Sequence, residues 1–541
     1  MKKIFMYTFS FVKKEKLMFK FWVSLVISVI NAILSIVIPL IIGEFIDLLV
    51  SNVDFSISIK YITLIFIIGL LGVGLSYCYQ IISTKLFYKL EFSIIKHNIS
   101  HLQKTPYEIF RNKFVPAQLT QQLFSDCKNI VSFVSNYFMQ MIINLCSLLF
   151  LILSIFRINK HIFIIISIFI PVFFLGYIYS RKKLYDSSFV TKEANAQLYK
   201  NVHEHLESTK QIKLHSLFSY SDHILDENFS TFLKKILKNI KINQYVSVYS
   251  NLISILTLMC VLLCSMYDIH NSSMTIGNMT IINTYFAKII SLINFYLSYG
   301  RAYQNTKGSF NRLISFKKIP VESNGLYQIS SIQNVSFKNI KFRYPDSKNY
   351  LNFPENFYQF KKGNLYLFKG INGSGKTTFC DILIGILTPY KGKIEYNNIN
   401  INLVDMYNLR KEKISVLSQN NIVFTNTVRQ YLSEATDVNT LWEKISNQNL
   451  HIFWESQHEF NILLEKRYFE LSKGEQQKIR LIKVLLKKAD LYILDEPETN
   501  LDNESIKIFS TILNTIKKNS MIILISHNND MQEIADQIII F

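Results

Sequence analysis

Apolar residues along this chain fall into two regimes. Before residue 302 they gather in six windows almost free of charge: Phe21 to Ile42, Tyr61 to Thr84, about 136 to 156, Ile162 to Ser180, about 245 to 267, and Met279 to Gly300, the last interrupted by Lys288. A helix needs about 20 apolar residues to cross about 30 Å of hydrocarbon, so each window predicts a membrane span. The first is too long for the apolar stretch of a cleaved signal peptide and lacks an A-x-A-like site. From residue 331 onward the texture changes to short β-branched runs (LYLFKG, ISVLSQ, LYILDE, MIILISH) separated by helical stretches, the alternation of an α/β domain. The expected architecture is multidomain: an all-α six-helix transmembrane domain over 1–301, a linker over 302–330 and an α/β domain over 331–541.

Charge distribution orients the first half. The N-terminal 20 residues hold six Lys and Arg, the stretch 85–128 holds seven and 181–241 holds eleven, whereas the loops between hold one, two and none. Basic residues near span ends stay cytoplasmic, so both termini are predicted on the cytoplasmic side of a multi-pass protein in the cytoplasmic membrane. The net charge of +20 is then explained by the lipid bilayer and calls for no nucleic-acid partner. The two long basic segments carry apolar residues every three or four positions and read as helices reaching into the cytoplasm. Pro39 and Pro171 lie inside spans one and four and predict kinks. Lys288 inside span six is costly in lipid and is expected to line an aqueous substrate pathway, a buried structural pair and snorkelling being the other readings. Charged residues make up only 18% of the chain, which argues against an ordinary soluble enzyme. Six cysteines without C-x-x-C or Cys/His spacing indicate neither a disulfide framework nor a zinc site.

The chemistry sits in the second half. After the strand LYLFK comes Gly370-Ile371-Asn372-Gly373-Ser374-Gly375-Lys376-Thr377-Thr378, matching G-x-x-x-x-G-K-[ST] in a strand, loop and helix setting. Glycines let backbone N–H groups curl around phosphates at a helix N-terminus, Lys376 reaches the β- and γ-phosphates, and the Thr377 hydroxyl ligates Mg²⁺. Downstream, the apolar run Leu491 to Leu494 ends in Asp495 and Glu496. Asp495 is expected to hold the Mg²⁺ shell and Glu496 to polarise the water attacking the γ-phosphate of ATP.

With these motifs in place, the chain resembles the ABC transporters, in particular exporter-type half-transporters with six transmembrane helices followed by one ATP-binding domain. Further elements match in order. Tyr344 in FRYPD stands where the family stacks an aromatic on adenine, and Gln419 matches the Q-loop, which in the family touches Mg²⁺ and the membrane domain. Leu471-Ser472-Lys473-Gly474-Glu475 resembles the signature, Thr499-Asn500-Leu501-Asp502 the D-loop, and His527 the switch histidine. The spacings also fit, at 43 residues from Lys376 to Gln419, 23 from Ser472 to Asp495 and 32 from Asp495 to His527. The resemblance implies ATP and Mg²⁺ as cofactors, Glu496, His527 and Gln419 as catalytic residues, and Thr377, Gln419 and Asp495 around the metal. It also implies nucleotide contacts from Tyr344, the loop residues Gly370 and Asn372 to Thr378, Gln419, Asp495 and, across a dimer, Ser472, Gly474 and Glu475.

Departures from the family pattern are specific. The signature usually reads L-S-G-G-Q, and here Lys473 and Glu475 replace the first Gly and the Gln; function with an altered rate is expected. The stretch LLEKRYFE lacks the G-E-R-G-like glycines, and the 14 residues after His527 are read as lacking the helical tail and final G-x-I strand common in the family, so a minimal domain, or one closed by a partner, is expected. Because the chain keeps Lys376, Ser472, Glu496 and His527, a homodimer of half-transporters is expected, with a heterodimer as the alternative. Short coupling helices near Tyr107 to Phe114 and Leu214 to Asp222 are expected to dock beside Gln419. Only 20 residues precede span one, so no leader peptidase is expected there. The transported substrate is unknown, with a peptide, a lipid and an amphipathic drug as the classes. The alternative function is a membrane sensor or ATP-gated regulator built on the same motor; an importer permease and a non-transport ABC protein fit less well.

Overall fold

A computed structural model describes residues 2–51, 55–114, 116–344, 351–353, 357–419, 427–433, 441–447 and 456–541. The chain divides into two units, Met1–Gln103 with Phe114–Ile319, and Lys104–Lys113 with Pro320–Phe541.

The first unit is helical. A short α1 (Lys2–Lys14) precedes α2 (Met18–Val50) and α3 (Phe55–Gln103). After α4 (Tyr107–Lys113), which belongs to the other unit, come α5 (Pro116–Ser132), α6 (Met139–Ile158), α7 (Lys160–Glu207), α8 (Thr209–Leu214), α9 (Phe218–His270) and α10 (Ile276–Lys317). A π-helical turn over Phe133–Phe138 joins α5 to α6. Among the described residues, six runs are long and apolar enough to span a membrane, and each predicted window lies within one of them. The basic segments extend α3, α7 and α9 to 49, 48 and 53 residues, as their periodicity predicts. Residues 302–317 continue α10, so the stretch read as a linker begins as helix.

Polar groups in this apolar bundle serve helix ends and crossings, as burial requires. Asp47 near the end of α2 accepts from the Gly277 N–H and from the Thr275 hydroxyl, both at 2.7 Å, and so satisfies the open N-terminus of α10. The helices cross closely here, since a Cβ on Gly277 would stand 2.1 Å from the Gly43 carbonyl oxygen. Fully buried Tyr285 donates its hydroxyl to the Ile36 carbonyl at 2.9 Å, a second bond between α10 and α2. Lys288 also turns to α2, donating to the Ser35 hydroxyl. Asp126 on α5 is fully buried and held by Arg312 through bonds of 2.8 and 2.5 Å. Pro39 and Pro171 both lie inside helices, α2 and α7.

The second unit holds two sheets. Strands β1 (Asn334–Phe342), β2 (Leu351–Asn352), β3 (Phe357–Lys361), β5 (Lys391–Tyr396) and β6 (Ile399–Asn400) form an antiparallel sheet. The parallel sheet runs in the order β10 (Gln537–Ile540), β4 (Leu365–Lys369), β9 (Met521–Ile525), β8 (Leu491–Asp495) and β7 (Ile414–Leu417). All five positions of β8 and of β9 are buried, which is why these strands read as continuous apolar runs. Alternate residues feed two cores. Leu365, Leu367, Leu494 and Leu524 join Ile479 of α12 (Lys473–Leu486) and Phe509 of α13 (Asn503–Ile516). Tyr366, Phe368, Ile493 and Ile523 join Phe379 of α11 (Lys376–Leu383) and Val335 and Phe337 of β1.

One expectation is corrected at the end of the chain. The residues after His527 do contain a closing strand: QIII pairs in parallel with β4, and the Phe541 ring packs on Phe368 at 4.9 Å and Phe379 at 5.5 Å. Four residues suffice because β4 already supplies the template.

The crossing of α2 and α10 yields a test. Gly277→Val overpacks it, at a cost of about 1–3 kcal/mol, and should lower the thermal midpoint of the purified protein. Gly72→Val, where a Cβ meets nothing within 4 Å, should leave the midpoint near that of the parent. Equal midpoints for the two variants would contradict the close approach.

Candidate functional site

The site grows from the ends of the parallel strands. The chain leaves β4 into a loop whose Gly373 and Gly375 have φ of 84° and 104°. Nothing lies within 4 Å of a Cβ placed on Gly373, so backbone conformation rather than space calls for glycine there. Gly375 caps α11 in the left-handed region, leaving the first N–H groups of the helix facing the loop. Lys376 is 7% exposed and curls back to donate to the carbonyls of Gly370 and Ile371 at 2.8 and 3.0 Å. Among the described residues, the buried Ser374 hydroxyl has no hydrogen-bond partner. Asn372 stands exposed at the tip. A glycine-containing loop at a helix N-terminus, a lysine bonded to two loop carbonyls and a buried hydroxyl without a partner among the described residues fit a polyphosphate.

Across the sheet, the Thr377 hydroxyl donates to Asp495 Oδ2 at 2.8 Å. Burial pushes the Asp495 carboxyl up from its ordinary value, and the Thr377 bond pulls it back. Glu496 follows in a left-handed conformation with φ 49°, its N–H bonded to the Ile525 carbonyl of β9 at 2.9 Å. The turn directs its carboxylate to Gln419, whose amide donates to Oε2 at 3.2 Å. Strain of this kind at a non-glycine residue is characteristic of working sites. The Tyr344 hydroxyl shares a 3.0 Å hydrogen bond with Thr378 Oγ1. Lys376, Thr377, Thr378, Asp495, Glu496, Gln419 and Tyr344 are thus brought together around the loop and the end of β8. A hydroxyl, a carboxylate and an amide are hard donors of the kind that share Mg²⁺ with phosphate oxygens and water. Residues 420–426 after Gln419 lie outside the described residues.

The variant signature has a physical explanation. Ser472 caps α12 and accepts from the Glu475 N–H at 3.2 Å, while the Glu475 carboxylate accepts from the Ser472 N–H at 2.8 Å, a reciprocal capping box. These bonds hold the Glu475 carboxyl below its ordinary value. Lys473 projects outward and is exposed. Gly474 is constrained, since a Cβ would lie 3.1 Å from the Asn500 carbonyl oxygen. Gln477 ties the helix to the D-loop stretch through a 2.7 Å bond to the Pro497 carbonyl. Among the described residues, neither Ser472 nor the exposed His527 is hydrogen-bonded to the loop cluster.

Two neighbours of the site escaped the sequence reading. Asp381 lies one helical turn after Thr377 on α11, and burial, reinforced by Asp495, pushes its carboxyl up to about 6. The i, i+4 spacing from Thr377 is a signal that could have flagged it. Arg111 of α4 reaches the Tyr344 ring, and nothing in sequence spacing connects residues so far apart.

Comparison with known proteins bears on this geometry. The ABC transporter transmembrane region matches residues 21–293, and the ABC transporter ATP-binding family matches residues 356–499. The chain belongs to the ABC transporters. Its second half is accordingly an ABC-type ATPase domain, and its first half a multi-pass transmembrane domain. The chain is 28% identical to the nisin transport ATP-binding protein of Lactococcus lactis subsp. lactis, over 62% of this chain and 58% of that protein's length. It is 24% identical to the sublancin-168-processing and transport ATP-binding protein of Bacillus subtilis, over 87% of this chain and 67% of that one. An uncharacterized ABC transporter ATP-binding protein of Bacillus subtilis is 21% identical over 98% of this chain and 93% of its own length.

Asp381 gives this ABC transporter a pH signature. Its carboxyl binds a proton more tightly in the folded protein than in the unfolded one, so its contribution to stability falls as pH rises from about 4 through about 6. Asp381→Asn should raise the thermal midpoint at pH 7.5 by roughly 2–4 °C, and the gain should vanish near pH 4. A gain independent of pH would assign it to something other than the carboxylate.

Proposed function

We propose that the chain is one half of a dimeric, ATP-driven exporter of the cytoplasmic membrane, with both termini in the cytoplasm and functional divisions at 1–301, 302–330 and 331–541. The observation that carries this reading is the junction of Thr377, Asp495, Glu496 and Gln419 beside the phosphate loop, in a chain with six apolar spans.

Each residue then has a task. Lys376 exchanges its loop carbonyls for the β- and γ-phosphates, and the Ser374 hydroxyl finds its missing partner there. Thr377, Asp495 and Gln419 would hold Mg²⁺, which would supply charge neutralisation to the phosphates. Tyr344 stacks on adenine. Glu496 orients and polarises the attacking water, and His527 contacts the γ-phosphate from the end of β9. Ser472, Gly474 and Glu475 face the ATP of the opposite copy, consistent with their separation from this chain's own loop cluster. Because the chain owns both halves of the arrangement, a homodimer makes two complete sites.

ATP binding closes the two ATPase domains, and the long extensions of α3, α7 and α9 carry the closure to the spans. The tip between α8 and α9 supports a partner: Leu214, Leu217, Phe218 and Tyr220 are all exposed. The names of the nisin and sublancin relatives favour a peptide cargo over a lipid or an amphipathic drug. Lys288, tied to Ser35, is assigned to the substrate pathway.

The test is ATP hydrolysis by the purified protein in lipid nanodiscs, with and without peptides, lipids and hydrophobic drugs. Stimulation by peptides is the expected result. Glu496→Gln should lower turnover by about 10²-fold or more while nucleotide binding persists, and hydrolysis at the parent rate would sink the role given to Glu496. Lys376→Ala should instead weaken nucleotide photolabelling itself.

A further inference from the structure

The helix α4 follows the second span in sequence, yet it belongs to the ATPase unit. Three contacts fix it there. The Lys104 carbonyl accepts from the Glu322 N–H at 2.7 Å, Glu108 Oε1 accepts from the Thr388 N–H at 2.8 Å, and the Arg111 guanidinium sits over the Tyr344 ring, 5.3 Å from its centroid. Among the described residues these contacts lie at the Tyr344 side of the phosphate loop, and the residues that follow Gln419, where this helix was expected to dock, lie outside the described residues.

Tyr344 is held at three points. Its hydroxyl is bonded to Thr378 of the loop helix, its ring forms a T-shaped pair with Phe342 at a centroid distance of 4.9 Å, and Arg111 sits over its ring. A guanidinium over an aromatic ring is attracted to its π-density, which orients the ring. Arg111 is also close enough to Asp381 to oppose the rise in that carboxyl, so its charge is felt within the loop helix.

We propose that Arg111 is a positioning residue of the nucleotide site: by holding the Tyr344 ring it sets affinity for the base of the nucleotide. The inference rests on the reading of Tyr344 as the adenine platform. It assigns to a segment of the membrane half's sequence a part in recognising ATP, distinct from the phosphate contacts made by the loop. The base, rather than the phosphates, is the feature Arg111 reads, because it touches the aromatic and not the loop.

The experiment is calorimetric titration of ATP and of base-free tripolyphosphate into the full chain in lipid nanodiscs, on a Glu496→Gln background that holds the nucleotide intact. Arg111→Ala should weaken ATP by about fivefold and leave tripolyphosphate unchanged, with Arg111→Lys recovering part of the loss. Glu108→Ala, which loosens α4 without touching Tyr344, should not alter the ratio of the two affinities. Tyr344→Ala tests the underlying reading and should erase most of the preference for ATP. If Tyr344→Ala does so and Arg111→Ala does not, the inference fails while the adenine reading stands. If neither variant changes the preference, both fall. Equal weakening of ATP and tripolyphosphate by Arg111→Ala would reduce Arg111 to a docking contact and also overturn the proposal.

Discussion

The parallel pairing of β4, β9 and β8 is the constraint on which the chemistry depends. With β9 between them, the ends of β4 and β8 come level, and the loop helix delivers Thr377 to Asp495 at 2.8 Å. The same ladder sets the left-handed turn at Glu496, whose N–H is bonded to the last residue of β9. Burial on both faces makes this register expensive to slip, because a shift of one residue would exchange the two apolar cores. The geometry of the candidate site is thus inherited from the packing of apolar residues.

The membrane unit follows a different logic. Its helices cannot be specified by burying apolar residues from water, since lipid accepts those residues equally well. Specificity comes from a few polar groups at points where the helices meet. Asp47 closing the start of α10, the Tyr285 bond to α2 and the pair of buried Asp126 with Arg312 each satisfy a polar group at a helix meeting point, and each fixes α10 against a neighbour. The small residues Gly43 and Gly277 complete the crossing of α2 and α10 by removing the side chains that would hold them apart.

The signature shows how two substitutions can be read physically rather than as deviations. Glu475 forms with Ser472 the capping box that a serine followed three residues later by glutamate predicts, so the N-terminus of α12 is well ordered before any nucleotide arrives. Ser472 and Gly474, the residues with the least tolerance, are retained, and the added charge of Lys473 points into solvent.

Sequence alone determined the six spans, the α/β second half and the residues of the phosphate loop, because each is written in local periodicity or in a short motif whose chemistry needs that spacing. It also selected Asp495, Glu496, Gln419 and Tyr344, though only through their order relative to the loop. The closing strand β10 was not legible, since four apolar residues carry no period until a neighbouring strand gives them one. Nor was the placement of α4: Glu108 and Arg111 are ordinary surface charges in a short helix, and their partners Thr388 and Tyr344 are joined to them only by folding. Tertiary structure decided those contacts because hydrogen bonds and cation–π attraction act over a few ångströms, whereas the pattern in a sequence reports only which groups must leave water.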